Sequence, residues 1–113
     1  MSRDFRLYLS DIVESCDQIS EYIYGHNFQS FSEDRRTIDA VVRNLEIIGE
    51  AAKNVSREIR DRRPEIAWTE IMKFRNVIAH EYFRVKLRVV WDIARNKIDN
   101  IRNAAASLYT ELS

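Results

Sequence analysis

Arg75, His80 and Tyr82 fall within one short stretch, Lys73-Phe74-Arg75-Asn76-Val77-Ile78-Ala79-His80-Glu81-Tyr82-Phe83. An imidazole titrates near neutrality and can take or give a proton as a bond breaks. A guanidinium offers a rigid fork of donors to the non-bridging oxygens of a phosphate as charge builds there. RNA carries its own nucleophile, the 2′-hydroxyl. Arginine and histidine therefore suffice for metal-free transesterification. The 2′-oxygen attacks phosphorus, the bond to the 5′-oxygen breaks, and a 2′,3′-cyclic phosphate and a 5′-hydroxyl result. The step needs both a base and an acid, and the stretch holds one histidine. An isologous two-fold interface would bring in the second. In an ideal helix, five residues at about 100° each leave His80 roughly 140° around from Arg75. The pair then requires the arginine's reach, an unwound helix end, or a second copy of the motif. The same residues also have bland uses. A helix-terminal histidine can serve the last carbonyls, an arginine can form an ion pair, and a tyrosine can sit half-buried.

Four apolar stripes supply the helices that would position this stretch. Phe5, Leu9, Ile12, Cys16, Ile19 and Ile23 recur at steps of three and four, which implies a helix from about Asp4 to Tyr24. Gly25 suits the position just past its end. Ser32 is the expected cap of a second helix carrying Ile38, Val41, Val42, Leu45, Ile48, Ala52, Val55 and Ile59, persisting to about Asp61 before Pro64. A shorter third helix, capped by Thr69, carries Ile71, Phe74 and Ile78 and ends around His80 to Phe83. The fourth runs from about Lys86 to Leu112, along Leu87, Val90, Trp91, Ala94, Ile98, Ile101, Ala105, Leu108 and Leu112. Short connections make neighbours antiparallel. The expected fold is all-α: one domain, residues 1–113, forming an antiparallel up-and-down four-helix bundle with a short third helix.

Composition agrees with a single globular domain. The 113 residues include two glycines and one proline, so long unbroken elements are favoured. Eighteen basic and eighteen acidic side chains cancel, so there is no basic excess of the kind nucleic-acid binders usually carry. Any basic patch must come from folding or from symmetry. The lone cysteine, Cys16, excludes an internal disulfide and points to an intracellular, cytoplasmic protein. No apolar run approaches the roughly 20 residues that span a bilayer, so no membrane partner is expected.

The pattern Arg75-x4-His80-x-Tyr82 resembles the signature of HEPN domains, specifically the HepT-like toxins paired with minimal nucleotidyltransferase antitoxins. The likeness extends to Arg43-Asn44-Leu45-Glu46-Ile47-Ile48-Gly49-Glu50-Ala51-Ala52-Lys53, to Pro64-Glu65-Ile66-Ala67-Trp68, and to Tyr82-Phe83 with Val89-Val90-Trp91-Asp92. It covers the chain from Asp11 to about Ile101. The resemblance implies a homodimer whose paired motifs face a shared cleft. It implies metal-independent endoribonuclease activity through Arg75 and His80, with Asn76 in support and RNA, not DNA, as substrate. It implies a cognate nucleotidyltransferase partner that silences the toxin by attaching AMP to Tyr82. A bulky anion there would block the cleft and repel RNA phosphates. Glu81 stands where the family commonly has glycine, and it sets a negative charge beside the proposed phosphate site. A non-catalytic helical subunit that binds a nucleotide or a nucleotidyltransferase is the alternative reading, and a purely structural dimer a third.

Other chemistry-bearing residues read as structural. His26 is expected to be a solvated loop histidine. Two histidines and one cysteine, with no metal-helix spacing, leave no zinc site, and no cofactor is expected. Glu46 and Glu50 share a face of the second helix. Without Glu-x-x-His partners elsewhere, polar contacts to Arg43, Arg75 or backbone suit them better than a metal. Gly49 in mid-helix costs roughly 1 kcal/mol against alanine, which suggests a close helix approach. Arg57, Arg60, Arg62 and Arg63, diluted by Glu58, Asp61 and Glu65, read as a solvated helix end rather than a phosphate contact. Trp68 and Trp91 are expected to anchor core and interface.

Overall fold

Each long helix that begins with a cap begins where a short oxygen-bearing side chain reaches its free amides. The computed structural model describes residues 4–78 and 87–113, and for residues 75–78 the backbone alone. Helix α1, Phe5–Ile23, starts on Asp4, whose carboxylate accepts from the Arg6 amide. It ends before Gly25, which adopts φ +80° as a residue past a helix end often must. The expected loop then winds into a short helix, α2, Phe28–Ser32. Asn27 and Ser30 build it as a reciprocal cap: the Ser30 amide donates to Asn27 Oδ1 at 2.8 Å, and the Asn27 amide donates to Ser30 Oγ at 3.0 Å.

Helix α3, Arg35–Asn54, is capped by Asp34 and not by Ser32, whose hydroxyl donates to the Gln29 carbonyl. Asp34 accepts from the Thr37 amide at 3.1 Å and from its hydroxyl at 2.8 Å. The stripe expected to run unbroken to Asp61 is interrupted. Val55 turns extended, and Ser56 caps a separate short helix, α4, Arg57–Arg60. Val55 and Ile59 stay buried, which is why the apolar periodicity outlasts the helix itself.

Helix α5, Trp68–Ile78, starts one residue before the expected cap Thr69. Its expected end near His80–Phe83 lies outside the described residues. The fourth expected helix is three pieces: α6, Leu87–Asp92, a π-helical segment, Ile93–Lys97, and α7, Ile98–Leu112. The Ile98 amide donates to the Ile93 carbonyl, an i→i+5 bond that puts one extra residue into a turn. Val90 and Ile98 lie eight residues apart, which in an ideal helix turns them about 80° from each other. A wider turn reduces that divergence, and both side chains are buried.

The described residues are all-helical. Helix α1 packs between α3 and α7, α5 packs on α3, and α2 bridges α3 and α6. One core results, with Leu9, Ile12, Cys16, Ile19, Phe31, Leu45, Ile48, Ala105 and Leu108 sealed from solvent. Each large aliphatic there contributes about 1.5–3 kcal/mol by leaving water. Among the described residues two polar side chains are buried within this apolar frame. Asn44 is satisfied by donating to the Ala40 carbonyl at 2.9 Å, and Ser15 lies across the α1–α3 seam. Among the described residues no helix is long and apolar enough to cross a membrane.

Candidate active site

Arg75 and Asn76 occupy the third turn of α5, whose backbone is helical through Ile78. The Arg75 and Asn76 side chains lie outside the described residues, as do His80 and Tyr82 altogether. What the structure supplies is the frame on either side of the motif. On the leading side, Trp68 and Ile71 are buried, and Met72 and Phe74 pack against the core. The Trp68 indole donates to the Arg63 carbonyl at 3.1 Å, tying α5 to the turn before it.

That turn is held in place by the arginines read as a helix end. Arg63 bonds through its guanidinium to the Arg62 carbonyl, the Ser107 hydroxyl and the Glu111 carboxylate, so the turn after α4 is clamped onto α7. Arg62 also pairs with Glu111, at 3.5 Å. Arg60 donates to the Val55 carbonyl and to the Met72 sulfur, and Arg57 lies 3.9 Å from Asp61. A solvated helix end is the sequence expectation; in the structure Arg60, Arg62 and Arg63 are engaged in these contacts, while Arg57 stays largely exposed. The Arg63 hydrogen bond, then the nearby guanidinium charges, hold the Glu111 carboxyl below the usual glutamate value. A depressed folded pKa stabilises above the unfolded value, and that stability disappears as pH falls through the folded one. Glu111→Gln is therefore expected to lower Tm at pH 7 and to converge with the parent chain only as pH falls through the depressed folded value, below the usual glutamate range, checked by thermal melts across pH. A Tm gap unchanged by acid would refute the clamp.

On the trailing side, α6 is fastened to α2. Phe31, fully buried, meets Trp91 with ring centroids 5.1 Å apart and planes tilted by 41°. Arg88 places its guanidinium carbon 3.7 Å above the Phe28 ring. Sequence reading found Trp91 as an anchor but missed Phe28 and Arg88. The Asn27-x-x-Ser30 cap was the available signal for α2.

His26 departs from its expected solvated state. It is partly buried, with Nδ1 2.9 Å from Ser30 Oγ and Nε2 3.7 Å from the Asp34 carboxylate. The Ser30 hydroxyl is also engaged with Asn27, so the trio locks the α1–α3 connection. Asp34 is held below the usual aspartate range by the Thr37 amide and hydroxyl first, with His26 adding to this. Cys16 is inert in the core, its thiol pushed up to about 12 by burial.

Two grooves flank this frame. One, about 360 Å³, opens between α1 and α3 and is lined by Tyr8, Asp11, Arg43, Glu46 and Glu50. Glu46, Glu50 and Arg43, for which polar contacts were expected, line this same groove. The other, about 380 Å³, lies between α5 and the π segment, with Ile71, Phe74 and Ile93 among its walls. Gly49 is buried on α3, the helix that α1 and α5 flank. Among the described residues no cluster of histidine, cysteine and carboxylate side chains could hold a metal ion.

The described residues are all-helical, consistent with a HEPN-like helical fold. The ribonuclease HepT-like family model matches residues 12–108, and the chain belongs to that family. A Thermococcus cleftensis protein named "Probable ribonuclease HepT" is 38% identical over 102 residues, covering 90% of this chain and 93% of its own. A Methanocaldococcus jannaschii protein named as an RNase candidate is 35% identical over 98 residues, covering 87% and 81%. Another so named, from Caldanaerobacter subterraneus subsp. tengcongensis, is 38% identical over 96 residues, covering 85% and 86%. No solved structure matches the chain.

Proposed function

We propose that this chain is the toxin of a nucleotidyltransferase–HEPN toxin–antitoxin pair, a metal-independent endoribonuclease acting through Arg75 and His80. The observation that carries the reading is the complete Arg75-x4-His80-x-Tyr82 motif inside a matched HepT-like domain. The names of the relatives, each a ribonuclease by description, support the same chemistry. The working form is a homodimer of antiparallel up-and-down four-helix bundles. One histidine accepts the 2′-hydroxyl proton, and the second copy's histidine protonates the departing 5′-oxygen. Arg75 receives the charge that builds on the phosphate, and Asn76 supports it. The near-zero net charge means that the attraction for RNA is local to the paired motifs rather than spread over the surface.

Tyr82 is the switch. Its phenol takes AMP from the partner nucleotidyltransferase, with pyrophosphate leaving from ATP, and the added anion closes the cleft to RNA. Co-expression with a small nucleotidyltransferase encoded beside it is expected to add one or more AMP masses, mapped to Tyr82 by fragmentation. The unmodified protein is expected to cleave RNA in the presence of a chelator, and the modified protein to be silent. Adduct without cleavage by the unmodified form would favour the non-catalytic partner subunit. Neither adduct nor cleavage would leave a helical bundle alone.

A further inference from the structure

The seam between α1 and α3 holds two buried polar side chains with bonding capacity left over. Ser15 is 4% exposed and Asn44 5%, yet both line a notch of about 270 Å³ between the helices. Asn44 donates to the Ala40 carbonyl, and its Oδ1 accepts from no group among the described residues. The Ser15 hydroxyl has no partner among them either. Every fully enclosed side-chain oxygen and nitrogen of the described residues is hydrogen-bonded, so the Ser15 hydroxyl opens onto the notch. Buried polar groups are normally satisfied, and two acceptors facing one small opening mark a place for a donor.

The rim adds charge. Glu14 stands beside Ser15 on α1, and Glu46 lies two residues past Asn44 on α3, in the wider groove next to the notch. Asp11 and Ile47 line both, so the two openings are continuous. No ion pair or hydrogen bond engages the Glu14 or Glu46 side chain among the described residues, whereas Asp11 and Glu50 already interact with other groups. Along the seam the chemistry therefore runs carboxylate, apolar wall, carboxylate.

We propose that this seam binds an aliphatic diamine, with one ammonium in the notch, the other beside Glu46, and the methylenes along Ile47. An ammonium carries three donors and no acceptor, which the Ser15 hydroxyl, the Asn44 oxygen and the Glu14 carboxylate match. A planar guanidinium suits paired coplanar oxygens better than acceptors spread over two helices. Two carboxylates divided by an apolar wall call for two cations on one chain, which a single lysine side chain does not carry. Arg43, exposed in the wider groove, competes with the second ammonium for Glu46.

The test titrates the full chain with putrescine in about 0.15 M salt, which screens diffuse attraction. Saturable amide NMR shifts are expected over residues 14–18 and 43–47, with α7 unmoved. The monoamine n-butylamine is expected to bind about tenfold more weakly, and Ser15→Ala and Glu14→Gln each to weaken putrescine about fivefold or more. Arg43→Gln is expected to tighten binding, and Glu58→Gln on α4 to leave it unchanged. Glu14 is exposed, so its variant keeps the parental thermal midpoint and the comparison holds. Shifts that never saturate or that spread over the whole surface would overturn the proposal. So would equal affinity for the monoamine, or parental affinity in Glu14→Gln.

Discussion

His80→Ala is expected to abolish chelator-resistant RNA cleavage, with a loss on the order of a hundredfold to ten-thousandfold. On the proposed mechanism, removing the imidazole would delete the proton acceptor from one copy of the site and the proton donor from the other, so the two halves of the reaction would fail together. Arg75→Ala is expected to lose a comparable factor through the phosphate charge it no longer meets. Arg75→Lys is expected to recover little, because a point charge cannot replace a planar fork. The thermal midpoint and helix content of these variants should match the parent. The sharper version mixes the two alanine variants in one dimer. If each site takes residues from both copies, or if each copy works alone, the regained fraction of activity differs, and a titration of one variant against the other reads it. Cleavage that persists in His80→Ala would sink the assignment of His80 and point to a contaminant or another site.

Phe31→Ala carries the largest expected effect on stability. The ring is fully buried and meets Trp91 at 5.1 Å, so its loss opens a void between α2, α3 and α6. Truncating a buried phenylalanine costs about 3–5 kcal/mol, and loss of an aromatic pair accounts for about 0.5–1.5 kcal/mol. Against a total of about 5–15 kcal/mol for a domain of this kind, that is a large share. Urea unfolding is expected to show a lower midpoint at an unchanged slope, and thermal melts a drop of roughly 15 °C or more. A shift below about 1 kcal/mol would mean that α2 is not part of the cooperative core.

Much of this was legible in the sequence, and the misses have definite causes. The apolar stripes located α1, α3, α5 and the α6–α7 run, because period 3.6 reports burial. The same fact explains two errors. Val55 and Ile59 are buried on either side of the Ser56 cap, so their spacing hid the break between α3 and α4. Val90, Ile93, Ala94 and Ile98 continue a seam across the π segment, so nothing in the stripe revealed the wider turn. Local side-chain chemistry misled in other places. Ser32 and Asp34 are both good caps, and the choice fell to Asp34, which can bond both the amide and the hydroxyl of Thr37. His26 read as solvated because its partners, Ser30 and Asp34, meet it only once α2 has formed. For the site, residue types suggested Arg75 and His80, the family resemblance added Asn76 and the modification of Tyr82, and these side chains lie outside the described residues. The contact of Arg88 with the Phe28 ring joins residues sixty apart in sequence, which no local pattern encodes.

The seat of α1 between α3 and α7 has a consequence during synthesis. Asp17 waits for Arg102, 85 residues further along, before their 3.0 Å contact can close. At about 5–20 residues per second, roughly 4 to 17 seconds separate the two on the ribosome. Over that interval α1 can pair with α3 but keeps its other flank wet. The α1–α7 face closes only after residues 75–82 have been translated, so nascent chains carry that stretch before the core is complete.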